Sequence, residues 1–335
     1  MDTWTLPLDY STVVRILVTG GCGFIGSHLI DKLLLDGHQV IALDDLSTGS
    51  LENVRPHSND KNLAVFVGSV LDIQALEDAA KDVDYIFHLA AAVGVFNIIN
   101  KPLSSLLTNV KGTENVFDVA SRYKIPVLIA SSSEIYGKNT SNGISESDDR
   151  ILGSPTTLRW SYSEAKAIDE SIAFAYWVEQ KLPIRIVRFF NTVGPRQLGT
   201  YGMVVPRFVE AALCNEPLLV FGDGEQTRCF SHILDTIDAL VKVAFSEKTI
   251  GIAVNIGNTK EISINNLARC VLDLTNSKSP IKHISYTDAY GDGFEDMEKR
   301  IPNTNLLRDL TSWEPKRDLN DIVKDLALHF TNQGL

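Results

Sequence analysis

The sequence predicts an α/β protein in which a doubly wound parallel β-sheet is covered by helices on both faces. Short, nearly continuous apolar runs alternate with stretches of helical periodicity through the first half of the 335-residue chain. Strands that are apolar on both faces are typical of a parallel sheet buried between two layers of helices. After Asn191 the alternation loosens, which predicts a smaller α/β C-terminal lobe.

The predicted elements of the first half follow one another as strand and helix. Strands are predicted at 15–19, 39–44, 63–68, 84–90, 126–131 and 184–189. Helices are predicted at 24–37, 102–123 and 160–179, and the first ends in a glycine C-cap signal. We therefore predict a dinucleotide-binding domain over 15–190, preceded by an N-terminal arm over 1–14.

The second half is predicted to contain shorter elements. Helices are expected at 204–214, 234–245, 263–275 and 319–330, and a strand, a turn and a second strand over 217–230. The segment 194–202 is expected to be a loop. We predict a lobe mainly over 191–330, with some later segments returning to the large domain.

Composition limits the classes of partner. The formal net charge is −11, which disfavours a nucleic-acid partner. Apolar stretches are far shorter than the ~18 residues that a membrane helix needs, and the N-terminus does not resemble a secretory signal. The four cysteines are widely spaced and form no CxxC pair, which disfavours a zinc site and a disulfide framework and fits a reducing compartment. No metal is expected. We expect a cytoplasmic protein without a membrane partner.

A glycine motif follows the first predicted strand. GGCGFIG places Gly20, Gly23 and Gly26 where a tight turn opens a helix, whose N-terminus can bind a pyrophosphate. Asp44 ends the next strand, where a carboxylate accepts hydrogen bonds from ribose hydroxyls and repels a 2′-phosphate. Cys22 is expected to fill space in the loop. The sequence therefore predicts a Rossmann-type domain that binds NAD in preference to NADP.

A second motif supplies candidate catalytic groups. Tyr162 and Lys166 lie four residues apart on a predicted helix and therefore share one face. A nearby ammonium favours the tyrosinate, and NAD+ would add positive charge. Together they can lower the tyrosine pKa from ~10 towards neutrality, which makes Tyr162 a candidate base. The hydroxyl residues Ser131–Ser133 end the preceding strand. Surface pairs at this spacing are common, but the glycine motif and the serines make a catalytic site the favoured interpretation.

Taken together, these motifs resemble those of the extended short-chain dehydrogenases/reductases, in the nucleotide-sugar epimerase, decarboxylase and dehydratase group. The resemblance runs from Arg15 to about Phe330. It rests on GGCGFIG, FHLAA (87–91), NVKGT (109–113), SSSEIYG (131–137), YSEAK (162–166), RFFNTVGPR (188–196), FGDGEQTR (221–228), EKRIPNT (298–304) and WEP (313–315).

The resemblance implies roles for the residues at matching positions. Ser132 would hydrogen-bond the reacting sugar hydroxyl, Tyr162 would be the base, and Lys166 would hold the cofactor and lower the tyrosine pKa. The implied cofactor-binding set is Gly20, Gly23, Phe24, Ile25, Gly26, Asp44, Ser69, Val70, Leu89, Ala90, Ala91, Asn109, Tyr162 and Lys166. Ser69 stands where the family usually has an Asp that meets the adenine.

The implied substrate is a UDP-sugar. Guanidinium groups in an acidic protein are suited to a diphosphate, and the family grips the UDP phosphates with arginines at the positions of Arg228 and Arg300. The implied substrate-binding set is Asn191, Val205, Arg207, Phe221, Arg228 and Arg300. A homodimer formed through 102–123 and 160–180 is a further implication of the resemblance.

The reaction after the first hydride transfer stays open. A 4-epimerase acting on UDP-glucose, UDP-glucuronate or an N-acetyl analogue is the favoured prediction. A UDP-glucuronate decarboxylase is the alternative, since that pattern has a Glu at Glu134 and an Arg at Arg300. A dehydratase would act by 5,6-elimination sooner than by 4,6-elimination, because Ser133 replaces the expected Asp. Glu134 is thus a candidate catalytic residue or a plain loop carboxylate.

An alternative from a different class is a non-catalytic NAD-binding regulator with the same fold. The intact set Ser132, Tyr162 and Lys166 disfavours it, because a protein that only binds NAD has no need for an activated phenol.

Overall fold

The fold is seen in a computed structural model that describes residues 12–94, 101–199, 202–290, 297 and 299–335. Most of the predicted N-terminal arm, residues 1–11, lies outside the described residues, as do parts of the predicted loop at 194–202 and of the EKRIPNT motif.

The large domain is built on a seven-stranded sheet in which every pairing is parallel. Its strand order is β11-β6-β5-β4-β1-β2-β3. The strands are β1 (Arg15–Thr19), β2 (Gln39–Asp44), β3 (Leu63–Val67), β4 (Tyr85–His88), β5 (Val127–Ser132), β6 (Ile184–Phe189) and β11 (Ala253–Ile256). The predicted α/β class with a parallel sheet is confirmed.

Helices cover both faces of this sheet. They are α1 (Phe24–Leu35), α2 (Ile73–Ala79), α3 (Pro102–Tyr123), α4 (Ser161–Gln180), α6 (Ile233–Ala244) and α9 (Asn305–Thr311). Gly37 ends α1 as the C-cap signal predicted. It follows the C-cap residue with a left-handed φ of 87°, a conformation that favours glycine.

The long helices α3 and α4 pack against each other and also carry exposed apolar side chains. Leu103 and Leu107 on α3, and Ile168 and Val178 on α4, are all more than two-fifths exposed. Such a surface is compatible with the expected homodimer, which stays a prediction.

The strand order indicates at which edge of the sheet a ligand would bind. The chain runs from β1 outward through β2 and β3, then crosses back to β4 and continues outward through β5 and β6. Because all strands are parallel, their carboxyl ends meet at one edge. Ligands of open α/β sheets bind at this edge where the order reverses, between β1 and β4.

Later segments of the chain pack on the seven-stranded sheet and its helices. Strand β11 pairs with β6, and α6 packs against α1 in one hydrophobic core. Trp313 is buried in the same core, and its indole nitrogen donates to the Asp235 carbonyl at 3.1 Å.

The C-terminal lobe has a hydrophobic core of its own. It packs α5 (Val204–Leu213), α7 (Ile264–Thr275) and α10 (Leu319–Asn332) around a short strand, β8 (Leu218–Phe221). The other short elements are β7 (Thr192–Val193), β9 (Thr227–Cys229), β10 (Ser231–His232), β12 (Glu261–Ser263), β13 (Ile281–Ile284) and α8 (Tyr286–Tyr290). The exact boundary between the two predicted domains stays a prediction.

The segment 217–230 contains the two predicted strands, but they do not pair with each other. Strand β8 pairs in parallel with β13, and β9 pairs antiparallel with β12. The partners are remote in sequence, so the local turn signal could not identify them. Among the residues that the structure describes, no helix is long and apolar enough to cross a membrane.

The close packing of the glycine turn between β1 and α1 can be tested by substitution. A Cβ at Gly26 would overlap the carbonyl oxygen of Gly20, so we expect Gly26→Ala to cost ~3 kcal/mol of unfolding free energy and to abolish NAD binding. The control is Gly37→Ala, where a Cβ meets open space and only the left-handed backbone costs ~1 kcal/mol. Thermal unfolding and NAD titration measure both effects. Equal stability and NAD affinity in the two variants would contradict the packing argument.

Candidate active site

A cavity of about 650 Å³ opens at the carboxyl edge of the sheet, between the large domain and the C-terminal lobe. All the residues predicted for cofactor, substrate and catalysis line it, except Asn109. Those that line it are Gly20, Gly23, Phe24, Ile25, Gly26, Asp44, Ser69, Val70, Leu89, Ala90, Ala91, Ser132, Glu134, Tyr162, Lys166, Asn191, Val205, Arg207, Phe221, Arg228 and Arg300.

The glycine turn forms one end of the cavity. Gly20 has a left-handed φ of 70°, and a Cβ there would lie 2.8 Å from the Ala90 amide nitrogen. Glycine therefore lets the ends of β1 and β4 approach each other. The turn leads directly into α1, and the N-terminus of a helix presents backbone N–H groups that suit an anion.

Asp44 lies at the end of β2 and fixes this turn. Its carboxylate accepts the Cys22 N–H at 2.9 Å and the Leu46 N–H at 2.8 Å. Burial raises the pKa of Asp44, and these backbone hydrogen bonds oppose the rise. The glycine turn, the helix N-terminus and this carboxylate together fit the pyrophosphate and ribose of NAD.

Cys22 sits inside the turn without the features of a nucleophile. Burial, followed by the nearby Asp44 charge, raises the pKa of its thiol to about 12. A thiol that stays protonated at neutral pH is not reactive, which agrees with the expected space-filling role.

Asn109 and Ser69, both in the implied cofactor-binding set, are placed differently relative to the cavity. Asn109 lies behind the cavity wall, where its side chain accepts the Ala92 N–H at 2.8 Å and donates to the Ala92 carbonyl at 3.3 Å. It therefore supports the loop after β4 without lining the cavity. Ser69 does line the cavity, and its hydroxyl accepts the Leu71 N–H at 3.3 Å. The nearby Asp72 caps α2.

The predicted catalytic side chains meet at the end of β5. Ser132 is the last residue of the strand, and its hydroxyl forms a hydrogen bond with Tyr162 on the first turn of α4. Lys166 lies one turn further along α4, and its ammonium donates to the Ala130 carbonyl at 3.0 Å and to Asp169 at 3.1 Å. The Ser163 hydroxyl donates to the Glu134 carbonyl at 2.5 Å and ties α4 to the turn after β5.

The groups of the protein alone do not lower the pKa of Tyr162. Burial raises it above the ordinary value, and the Glu134 and Asp169 charges add to the rise. The Lys166 ammonium and the Ser132 hydrogen bond lower it as predicted, but they do not outweigh burial. The groups of the protein alone therefore leave Tyr162 protonated at neutral pH, and a further positive charge in the cavity is needed to form the tyrosinate.

Glu134 is held between two arginines. Its carboxylate lies 2.5 Å from an Arg159 nitrogen and 2.6 Å from an Arg300 nitrogen. Burial alone would raise the pKa of Glu134, but the two guanidinium groups outweigh it and hold the pKa well below its usual range. Arg300 also donates to Asn191 at 2.8 Å. Two guanidiniums that line the cavity therefore share one carboxylate near Tyr162.

This cluster adds one residue to the predicted set. Arg300 and Asn191, which the resemblance implies as ligands of the substrate diphosphate, line the cavity and hydrogen-bond each other, and Arg300 also pairs with Glu134. Their part in binding UDP stays a prediction. Arg159 was missed, although it precedes Tyr162 by only three positions. Its partner Glu134 lies on another segment, so the pair became visible only in the folded chain.

The far end of the cavity is formed by the C-terminal lobe. The Arg207 guanidinium stacks on the Phe221 ring at 4.0 Å from its centroid, and it donates to the Leu219 carbonyl at 3.0 Å. Arg228 donates to the Thr227 carbonyl at 2.8 Å and also lines the cavity. Gln226 and Tyr286, which the sequence did not single out, complete this end. A flat cationic and aromatic wall of this kind suits a nucleotide.

The comparisons with curated proteins agree with this site. The chain is 39% identical over 317 residues to a UDP-N-acetyl-alpha-D-glucosaminuronate decarboxylase of Bacillus cytotoxicus, covering 94% of this chain and 97% of that protein. It is 36% identical to UDP-glucuronic acid decarboxylase 1 of Xenopus tropicalis, covering 95% of this chain and 72% of that protein.

Solved structures share the fold over nearly the whole chain. A UDP-N-acetylglucosamine 4-epimerase from Methanobrevibacter ruminantium, in complex with UDP-N-acetylmuramic acid, has a TM-score of 0.87 at 29% identity and covers 96% of this chain and 99% of its own. A UDP-glucuronic acid 4-epimerase from Bacillus cereus, in complex with UDP-glucuronic acid and NAD, has a TM-score of 0.86 at 25% identity, with coverages of 95% and 99%.

A family model described as the NAD dependent epimerase/dehydratase family matches residues 16–257, most of the chain. This match includes the glycine turn, Asp44 and the Ser132, Tyr162 and Lys166 group, and the curated relatives extend the similarity into the C-terminal lobe. The chain therefore belongs to the NAD-dependent epimerase/dehydratase family and is an NAD-binding enzyme of its nucleotide-sugar epimerase and decarboxylase group.

Proposed function

We propose that the protein is an NAD-dependent decarboxylase of UDP-sugars that carry a carboxylate at C6. The observation that carries this proposal is the cluster of Glu134, Arg159 and Arg300, in which two guanidiniums of the cavity lining face one carboxylate near Tyr162. Both arginines are nearly buried, and a guanidinium binds a carboxylate through strong, paired hydrogen bonds. The C6 carboxylate of a hexuronate would be such a ligand, whereas the C6 hydroxyl of a neutral hexose would not.

The first step uses the residues at the end of β5. Tyr162 takes the proton of the sugar O4, the Ser132 hydroxyl hydrogen-bonds that oxygen, and Lys166 stabilises the resulting tyrosinate. NAD, when bound, supplies the positive charge that Tyr162 lacks, accepts the hydride from C4 and later returns it. Oxidation at C4 leaves a ketone in the β position to the C6 carboxylate.

The second step needs no base. When CO₂ leaves, the electron pair of the C5–C6 bond passes to the C4 ketone as an enolate, and C5 then takes up a proton. Arg159 and Arg300 bind the substrate carboxylate and hold it beside the reacting carbons. Glu134 holds the two guanidiniums in place.

The state of Glu134 argues against dehydration. A dehydratase has to remove the C5 proton, and a good general base has a pKa near the working pH. Two arginines instead hold the pKa of Glu134 well below its usual range. Decarboxylation does not require such a base, so the ionised Glu134 is compatible with it.

The curated relatives support this choice, since the two named above are decarboxylases of UDP-hexuronates. The second candidate is the 4-epimerase favoured by the sequence. It is supported by solved structures, among them a 4-epimerase bound to UDP-glucuronic acid. An epimerase would use the same first step and the same two arginines, but would retain the carboxylate. The complexes of these neighbours also support UDP as the nucleotide.

Products from a panel of substrates test the proposal. With UDP-glucuronate and UDP-N-acetylglucosaminuronate, we expect a product that has lost the mass of one CO₂. With UDP-glucose and UDP-N-acetylglucosamine, we expect little turnover, because these sugars have no C6 carboxylate to bind the two arginines or to leave as CO₂. An unchanged mass with inverted C4, read by NMR, would replace the proposal by 4-epimerisation.

Removal of the Tyr162 hydroxyl tests the first step. We expect Tyr162→Phe to bind NAD with unchanged affinity and to lose turnover by ~100-fold or more, since the base is absent while the ring still fills its place. Formation of NADH absorbance during a single turnover is the measurement. Turnover close to that of the wild type would remove Tyr162 from the mechanism.

Neutralising Glu134 separates the two steps. We expect Glu134→Gln to form NADH in a single turnover but to release CO₂ at least ~10-fold more slowly, because the arginines lose the charge that orients them. The control is Glu164→Gln, which removes an exposed carboxylate from α4. If Glu134→Gln matches this control in both steps, Glu134 is a loop carboxylate without a role in the reaction.

A further inference from the structure

Lys166 has a buried acidic partner that the described mechanism does not use. Asp169 lies one turn further along α4, and its carboxylate oxygen is 3.1 Å from the Lys166 ammonium. The exposed fraction of the side chain is 0% for Asp169 and 3% for Lys166. A carboxylate is almost never buried this completely unless it is paired with a cation.

Asp169 also connects Lys166 to the cofactor side of the cavity. The Thr113 hydroxyl on α3 interacts with Asp169, and it contacts a His88 ring nitrogen at 3.1 Å. The other His88 nitrogen contacts the Thr19 hydroxyl at 2.8 Å, and Thr19 accepts the Ala90 N–H at 3.2 Å. This buried chain of polar side chains runs from the catalytic helix to the loop after β4 that lines the cavity.

Burial creates a difficulty for the Tyr162 and Lys166 pair. It disfavours the charged form of both groups, so it resists the tyrosinate and also pushes Lys166 towards the neutral amine. If Lys166 lost its proton first, no ammonium would remain to stabilise the tyrosinate. Burial does lower the pKa of Lys166, but Asp169 and then Tyr162 outweigh it and the net pKa is raised.

We propose that Asp169 is the positioning residue that keeps Lys166 as an ammonium and holds it in place, so that the proton leaves Tyr162 first. Asp169 touches neither the reacting atoms nor the cavity and acts through Lys166. The proposal concerns the hydride step common to the whole family. It therefore does not depend on whether the later step is decarboxylation or epimerisation.

The other charged groups around this pair do not take over the role. Glu170 is paired with Arg188 at 2.7 Å, and Glu134 is outnumbered by its two arginines. Burial and the Lys166 charge lower the pKa of His88 to about 3, so it is neutral at physiological pH. Asp169 is thus the described carboxylate that directly balances the ammonium.

The test follows the Lys166 ammonium itself by NMR of the full-length protein containing nitrogen-labelled lysine. The Lys166 signal is assigned by its loss in Lys166→Met. In the wild type we expect Lys166 to keep its proton to a higher pH than Tyr162. In Asp169→Asn, which preserves shape and removes the charge, we expect the lysine to lose its proton at least ~1 pH unit lower.

Kinetics provide a second readout. We expect Asp169→Asn to form NADH at least ~10-fold more slowly at neutral pH, and Asp169→Glu, which retains the charge, to recover part of the rate. The control Glu164→Gln removes an exposed carboxylate from the same helix and should change neither readout.

Two results would overturn the proposal. One is a lysine titration that is identical in the wild type and in Asp169→Asn. The other is a wild-type protein in which Lys166 loses its proton before Tyr162, a measurement that does not require the variant to fold. A failure of UDP-hexuronate decarboxylation would leave both titrations unaffected, so the two proposals fail independently.

Discussion

Buried charge has to be balanced, and this requirement shapes the active site. Two ionic groups flank Tyr162: Glu134 lies between Arg159 and Arg300, and Asp169 holds Lys166. The second group pairs one ammonium with one carboxylate, whereas in the first group two guanidiniums that line the cavity share one carboxylate. Guanidiniums at a cavity wall are suited to an anionic ligand. The proposed preference for a C6 carboxylate rests on these two arginines.

The fold makes these contacts possible by bringing strand ends together. The parallel sheet collects the carboxyl ends of β1, β2, β4 and β5 at one edge, where the glycine turn, Asp44 and Ser132 all lie. The helix α4 then brings Tyr162 against the end of β5 and places Lys166 one turn behind it. The C-terminal lobe closes the other side of the cavity with Arg300 and with the stacked Arg207 and Phe221.

Local patterns predicted most of the fold and much of the site, because strands, glycine turns and helix faces are encoded over a few residues. Three features could not be found in this way, since each depends on segments remote in sequence. Arg159 can be identified as a site residue only in the folded chain, where the turn after β5 brings Glu134 into an ion pair with it. The partners of β8 and β9 are fixed by the packing of the lobe. The raised pKa of Tyr162 results from burial by the whole cavity wall, which a motif does not report.

The central claim is that the substrate loses its C6 carboxylate after oxidation at C4. The most direct measurement uses UDP-glucuronate with an isotopically labelled C6 carbon and follows that carbon by NMR during turnover. The account predicts that the label leaves the sugar and accumulates as CO₂ and bicarbonate, while the nucleotide sugar becomes a pentose. Retention of the label in a hexuronate with altered C4 stereochemistry would contradict the account and would identify the enzyme as a 4-epimerase.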